Sequence, residues 1–291
     1  MSRLNPLNDY LFIKMMGEKG DEEQLLSFLN AVLHRTGKSL LGSVEIVNPK
    51  MSAESIGDKA SILDVRAVVN DGTKVNIEVQ LENLNNMGSR SLFYWSREFS
   101  KGITAGQDYA ELPKVVAINI MGFPFLKIDD FHACFHLRED YHPEYILDDA
   151  LELHFLDIAK FRVLKDKDLM NNSLHRWMAF FNQNTEAIVL EEVLDMDNAI
   201  RKANDKMSFV SQDPESLRYY QMREMGLSDM TSRINFAKKE GKIEGKIEGK
   251  IEGKIEIVKN MLHEGMEMAL VSKMTGVDIN TILALQETAN E

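Results

Sequence analysis

The sequence predicts an α/β fold: a mixed sheet flanked by helices, followed by an α-helical C-terminal extension. Three observations carry this. The stretch from Ile62 to Leu81, ILDVRAVVNDGTKVNIEVQL, alternates apolar and polar residues about an Asn-Asp-Gly turn. Lys114 to Met121, KVVAINIM, is a short β-branched run between Pro113 and Gly122, as expected of a strand buried on both faces. From Lys160 onward the apolar spacing becomes helical.

The hairpin is the most informative element. Asn70-Asp71-Gly72 fits a three-residue loop, with Gly72 supplying the positive φ. That loop sets Thr73 opposite Val69, Ile77 opposite Val65 and Glu78 opposite Asp64. Leu63, Val65, Ala67 and Val69 then share a face with Val75, Ile77, Val79 and Leu81, and every one is apolar. The other face carries Ile62, Asp64, Arg66 and Val68 beside Lys74, Asn76, Glu78 and Gln80. Opposed carboxylates so close repel unless a proton or cation lies between them, and a hard divalent ion suits oxygen donors. A two-residue Asp-Gly loop would instead put Asp64 and Glu78 on opposite faces, and acids on a solvated hairpin face also arise by chance.

Size and composition bound the alternatives. The 291 residues, 44% hydrophobic, suffice for one core of roughly 200 residues with appendages, or for two small domains. A single cysteine, Cys134, excludes a disulfide framework within one chain and fits a reducing compartment. The N-terminus, MSRLNPLNDYLF, has no signal-peptide core, and no run of 18 apolar residues occurs, so a cytoplasmic protein without a membrane span is expected. A net charge of −12 argues against general nucleic-acid coating, though not against an enzyme with a local basic cleft.

The remaining elements follow in order. Asn5 to His34 is read as helical with a break at Gly17 to Gly20, and Asn8 or Asp9 as the first cap. Val44 to Asn48 is a candidate first strand. Ser89 to Lys101 reads as a helix with a packing stripe of Leu92, Phe93, Trp95, Ser96 and Phe99. Its second face carries Arg90, Tyr94, Arg97 and Lys101, either a phosphate-binding surface or an ordinary solvated face. Phe131 to Leu137 and Ala150 to Leu156 are further strands, and their histidines, His132, His136 and His154, are expected to be structural. Helices follow around Trp177 to Phe181, from Ile188 to Lys206 and from Leu217 to Ala237.

Gly241 to Glu256 is GKIE repeated four times. A four-residue period drifts about 40° per repeat on a helix, which implies a right-handed wrap if two such helices pair. The repeat reads as a marginal helix, acting as a spacer or held by self-association, or as a flexible linker. The last segment, with Gly265 and Gly276 between short helices, suits a helix-turn-helix unit or a small dimerising cap.

Several stretches together resemble one family: NPLNDYLFIKMM, ILDVRAVVNDGTKVNIEVQ, RSLFYWSREFS, AGQDYAELPKVVAINIMGF, LELHFLDIAKF and the tail NMLHEGMEMALVSKMTGVDINTIL. The chain resembles the Rpn recombination-promoting nucleases, also labelled transposases, within the PD-(D/E)XK superfamily. The resemblance implies a restriction-endonuclease-like core over 1–165, a helical extension over 166–237, a GKIE helix or spacer over 238–256 and a C-terminal helical unit over 257–291. It further implies Mg²⁺ held by Asp64, Glu78 and the backbone carbonyl of Val79, with activated water attacking a DNA phosphodiester. Gln80 stands where the superfamily carries lysine and can only orient by hydrogen bonds. Lys59 or Arg90 is expected to supply the missing charge, and Lys59, Arg90, Tyr94 and Arg97 to contact DNA. The implied function is a Mg²⁺-dependent DNA endonuclease of recombination or mobile elements, self-associating through its tail. A catalytically weak relative that acts by binding is the alternative.

Overall fold

The computed structural model describes residues 3–34, 39–47, 65–104 and 106–287. Two compact units divide the chain, Met1–Leu227 and Ser228–Glu291. The first opens with helices α1 (Asp9–Met16) and α2 (Glu22–Val32), followed by strands β1 (Val44–Ile46), β2 (Val65–Val69) and β3 (Lys74–Gln80). Helix α3 (Met87–Ser100) leads to β4 (Val115–Met121), β5 (His132–Arg138) and β6 (Ile146–Asp157). Helices α4 (Ile158–Val163), α5 (Ser173–Phe181), α6 (Ala187–Met196) and α7 (Asn198–Gln212) come next, then the 50-residue α8 (Pro214–His263).

The six strands form one mixed sheet in the order β1-β2-β3-β4-β6-β5. Strand β4 pairs in parallel with β3 and β6, while β1–β2, β2–β3 and β5–β6 are antiparallel. All seven residues of β4 are buried, which explains a run that is apolar except at Asn119.

Helices cover both faces. One face, with Val65, Ala67, Val75, Ile77, Ile118 and Leu156, merges with α1, α2 and α5–α7 into the main core. Phe28 lies edge-on to Trp177 and Phe181, with ring centroids 5.6 and 5.4 Å apart, and locks α2 against α5. Thus α5–α7, set apart in the sequence as a helical extension, contribute to the same core as the N-terminal helices. The opposite face is smaller: Ala117, Met121, Leu153 and Phe155 pack with Met87 and Trp95 of α3.

The structure decides one sequence expectation and changes another. The cap of α1 is Asn8, whose Oδ1 accepts from Leu11 N at 3.2 Å, whereas Asp9 takes the Arg223 guanidinium at the start of α8. In α3, Leu92 and Phe93 are 50% and 61% exposed, so they do not belong to the packing stripe. The face that meets the sheet is Met87, Ser91 and Trp95, at four-residue spacing.

The second unit contains the rest of α8, then α9 (Met268–Thr275) and α10 (Ile279–Glu287). Val258, Val271 and Ile282 form its small core, with Leu262, Met268 and Val277 around them. Gly265 and Gly276, at φ 79° and 67°, make the left-handed turns between the helices. The GKIE repeat lies wholly within α8, so it is helix and not a flexible linker. A Cβ added at Gly241, Gly245, Gly249 or Gly253 would meet nothing within 4 Å.

Candidate active site on the hairpin

The turn between β2 and β3 has the expected three residues. Val69 N–H donates to Thr73 O at 3.0 Å, and Gly72 N–H to Val69 O at 2.9 Å. Asp71 Oδ1 accepts from Thr73 N at 2.9 Å, and Gly72 sits at φ 84°. The register that follows is Val65↔Ile77, Arg66↔Asn76, Ala67↔Val75 and Val68↔Lys74. Val65, Ala67, Val69, Val75 and Ile77 accordingly enter the main core. Asn76, Glu78 and Gln80 are set on the other face, under α3. Asp64 and Lys59 lie outside the described residues.

Glu78 is 3% exposed, beside Asn119 of β4. Arg90, one turn into α3, donates through Nε to Glu78 Oε1 at 2.5 Å. Among the described residues, Glu78 Oε2 is buried without a hydrogen-bond partner, and so is Asn76 Oδ1 two residues earlier on the same face. Burial raises the Glu78 carboxyl above its ordinary pKa, and the charge and hydrogen bond of Arg90 partly oppose the shift. The Arg90 guanidinium in turn lies 5.4 Å from the centre of the Tyr94 ring.

Further polar contacts tie α3 to the sheet. Ser91 Oγ donates to Asn119 Oδ1 at 2.7 Å, and Asn119 Nδ2 donates to the His154 carbonyl at 3.0 Å. Trp95 Nε1 donates to the Val115 carbonyl at 3.1 Å. These bonds fix α3, and with it Arg90, over the carboxylate.

The structure therefore brings Glu78, Arg90 and Tyr94 together. Gln80 is on the same face two residues on, and its Nε2 donates to the Glu82 carbonyl at 3.2 Å. Val79 turns its side chain to the main core, which leaves only its backbone to face this side. Arg97 is exposed in the last turn of α3. Asn76, Ser91 and Asn119 were not anticipated as site residues. The signal for Asn119 was present, since it is the one polar residue after Lys114 in KVVAINIM.

A divalent metal is the group this fold implies. Two buried oxygen acceptors without partners, a carboxylate and an amide, are the donor types a hard cation takes. The residues present fit such an ion.

Among the described residues, no helix is long and apolar enough to cross a membrane. No curated protein and no solved structure matches the chain. A family model does match, over residues 6–237, which include every strand of the sheet and the whole of the hairpin. That model is described as PD-(D/E)XK nuclease family transposase, and the chain belongs to this family.

Proposed function

We propose that the chain is a metal-dependent endonuclease that hydrolyses DNA phosphodiester bonds, associated with recombination or mobile elements. Family membership supports a nuclease. The observation that carries the assignment to this site is Glu78: a buried carboxylate with one oxygen on Arg90 and the other without a partner among the described residues. Mg²⁺ is the proposed ion, with Glu78, Asp64 and the Val79 carbonyl as its protein ligands. When bound, it supplies Lewis-acid stabilisation of the phosphoryl charge and an activated water.

The chain's own residues do the rest. Arg90 holds Glu78 in one orientation and carries the positive charge that a lysine at position 80 would bring. Its guanidinium can also accept a phosphate, as a planar fork does well. Gln80 orients by hydrogen bonding alone. Tyr94 offers a face for stacking, Arg97 adds an exposed positive charge in a chain of net charge −12, and Lys59 is a further proposed DNA contact. We place the enzyme in the cytoplasm and assign self-association to its C-terminal helical tail.

The alternative, a catalytically weak protein that acts by binding, draws on a specific contact. Arg90 already holds Glu78 Oε1, and the Gln80 amide is turned to Glu82. Incubating supercoiled plasmid with Mg²⁺ separates the two. The nuclease reading expects nicking by the wild type that EDTA abolishes, and that Asp64→Ala and Glu78→Ala each lose. Cleavage surviving both substitutions would move the site elsewhere, and no cleavage with Mg²⁺ or Mn²⁺ would favour the binding protein.

A further inference from the structure

A second group of ligating side chains lies on the β5–β6 pair. Strand β5 reads His132-Ala-Cys134-Phe-His136, so three metal-ligand types alternate along it. Strand β6 brings Glu152 and His154, two residues apart, and Cys134 is the direct cross-strand partner of His154. One ligand atom each from Cys134, His136 and Glu152 lies within 4.8 Å of the others.

The separations are those of a small metal site. Cys134 Sγ is 3.7 Å from His136 Nδ1 and 3.7 Å from His154 Nε2. His136 Nε2 is 3.9 Å from Glu152 Oε2, and His154 Nε2 is 2.8 Å from Glu152 Oε1. Tetrahedral zinc, with bonds of about 2.3 Å to sulfur and about 2.0–2.1 Å to nitrogen or oxygen, spaces its donors roughly 3.3–3.6 Å apart. With His136 ligating through Nδ1 and His154 through Nε2, the two distances from Cys134 Sγ exceed that range by about a tenth of an ångström, whereas the 3.9 Å contact to Glu152 runs through the other nitrogen of His136 and leaves the carboxylate to swing toward the ion. The fourth is a hydrogen bond that lengthens when a metal replaces its proton.

The surroundings are built for the same purpose. With His154 Nε2 facing the cluster, its Nδ1 lies 2.9 Å from His132 Nε2, a contact of the kind that orients a ligating imidazole. Lys114 Nζ is 2.6 Å from Glu152 Oε2 and stabilises the carboxylate while Oε1 stays on the His154 side.

This cluster is separate from the hairpin site. Glu78 stands beside Asn119, which stands beside Phe155. His154 precedes Phe155 by one residue, so it points to the opposite face of the sheet. Ligand chemistry divides the sites as well: oxygen donors at Glu78 suit Mg²⁺, whereas a thiol and two imidazoles select a softer, late transition metal.

We propose that Cys134, His136, Glu152 and His154 form a structural Zn²⁺ site that fastens the edge strand β5 to β6. Four protein donors leave no open position, the pattern of structural and not catalytic zinc.

Cobalt titration of the full-length protein tests this. The expected result is one equivalent of Co²⁺ bound with tetrahedral visible bands and a thiolate-to-cobalt charge-transfer band, displaced by Zn²⁺ but not by Mg²⁺. Glu78→Ala should retain these bands. Cys134→Ser should lose the charge-transfer band, His136→Gln should lose tetrahedral binding, and His132→Ala should weaken affinity by about 10- to 100-fold. Far-UV circular dichroism confirms that each variant is folded. Absence of stoichiometric binding would overturn the proposal and leave the cluster a hydrogen-bonded network. So would a cobalt spectrum indifferent to Cys134→Ser, or one abolished by Glu78→Ala.

Discussion

Glu78 is costly to bury as a charged group, and among the described residues only one of its oxygens is hydrogen-bonded. Arg90 is what makes that tolerable. If Arg90 also carries the charge missing at Gln80, Arg90→Ala should lower cleavage by roughly 100-fold, the scale on which single electrostatic donors act. Arg90→Lys should recover only part, because an ammonium cannot reproduce the planar contact to the carboxylate. Single-turnover rates on a labelled duplex would measure both, and wild-type rates in Arg90→Ala would remove it from the site. At this scale the sequence was uneven. The acidic character of the Glu78 face was legible from the two-residue period alone. The orphaned oxygens and the Ser91–Asn119 link were not, because they depend on how α3 settles on the sheet. The Cys134 cluster was missed because its donors come from two strands whose ligands are 16 or more residues apart in sequence.

The hairpin is the element on which the site depends, and its turn sets the register. Gly72 at φ 84° is a conformation that a side chain strains. Gly72→Val should destabilise the protein by about 1–2 kcal/mol in urea unfolding, and an unchanged midpoint would mean that the turn tolerates another geometry. The uniformly apolar row on one face made this register readable in advance. Helix α3 was harder. It has apolar side chains almost all round, and only the observed docking shows that Met87 and Trp95 pack while Leu92 and Phe93 face water. In α8 a Cβ at the GKIE glycines would meet nothing within 4 Å, so alanine should help without a clash. Each Gly→Ala change at 241, 245, 249 and 253 is expected to stabilise that helix by up to about 1 kcal/mol. Thermal melts followed by circular dichroism read this directly, and destabilisation would reveal a close partner on the glycine face.

At the scale of the whole molecule, the strand and helix types were largely legible, because β4 is an apolar run interrupted only by Asn119 and α5 carries its aromatic residues at helical spacing. The joining of α5–α7 to the N-terminal core was not, since nothing local in either segment says that Phe28 meets Trp177. The same packing makes stability depend on pH. His175 lies edge-on to Phe131 and Phe161, and its Nδ1 accepts from Asp168 N at 2.9 Å. Burial lowers its pKa below 6.5; nearby Asp168 opposes this and Lys167 adds to it. The unfolded chain therefore binds the proton more tightly, and this contribution to stability, present above pH 6.5, is lost as pH falls below it. His175→Asn, which does not titrate, should show a shallower loss of melting temperature over that range, and equal slopes would contradict the assignment. The central claim is that the Glu78 face of the hairpin is a hydrolytic metal site. Its most direct measurement is the Mg²⁺-dependent cleavage rate of wild type and Glu78→Gln, compared on protein shown by circular dichroism to be equally folded. The account predicts cleavage by wild type and a loss of at least about 100-fold in the variant; equal rates would contradict it.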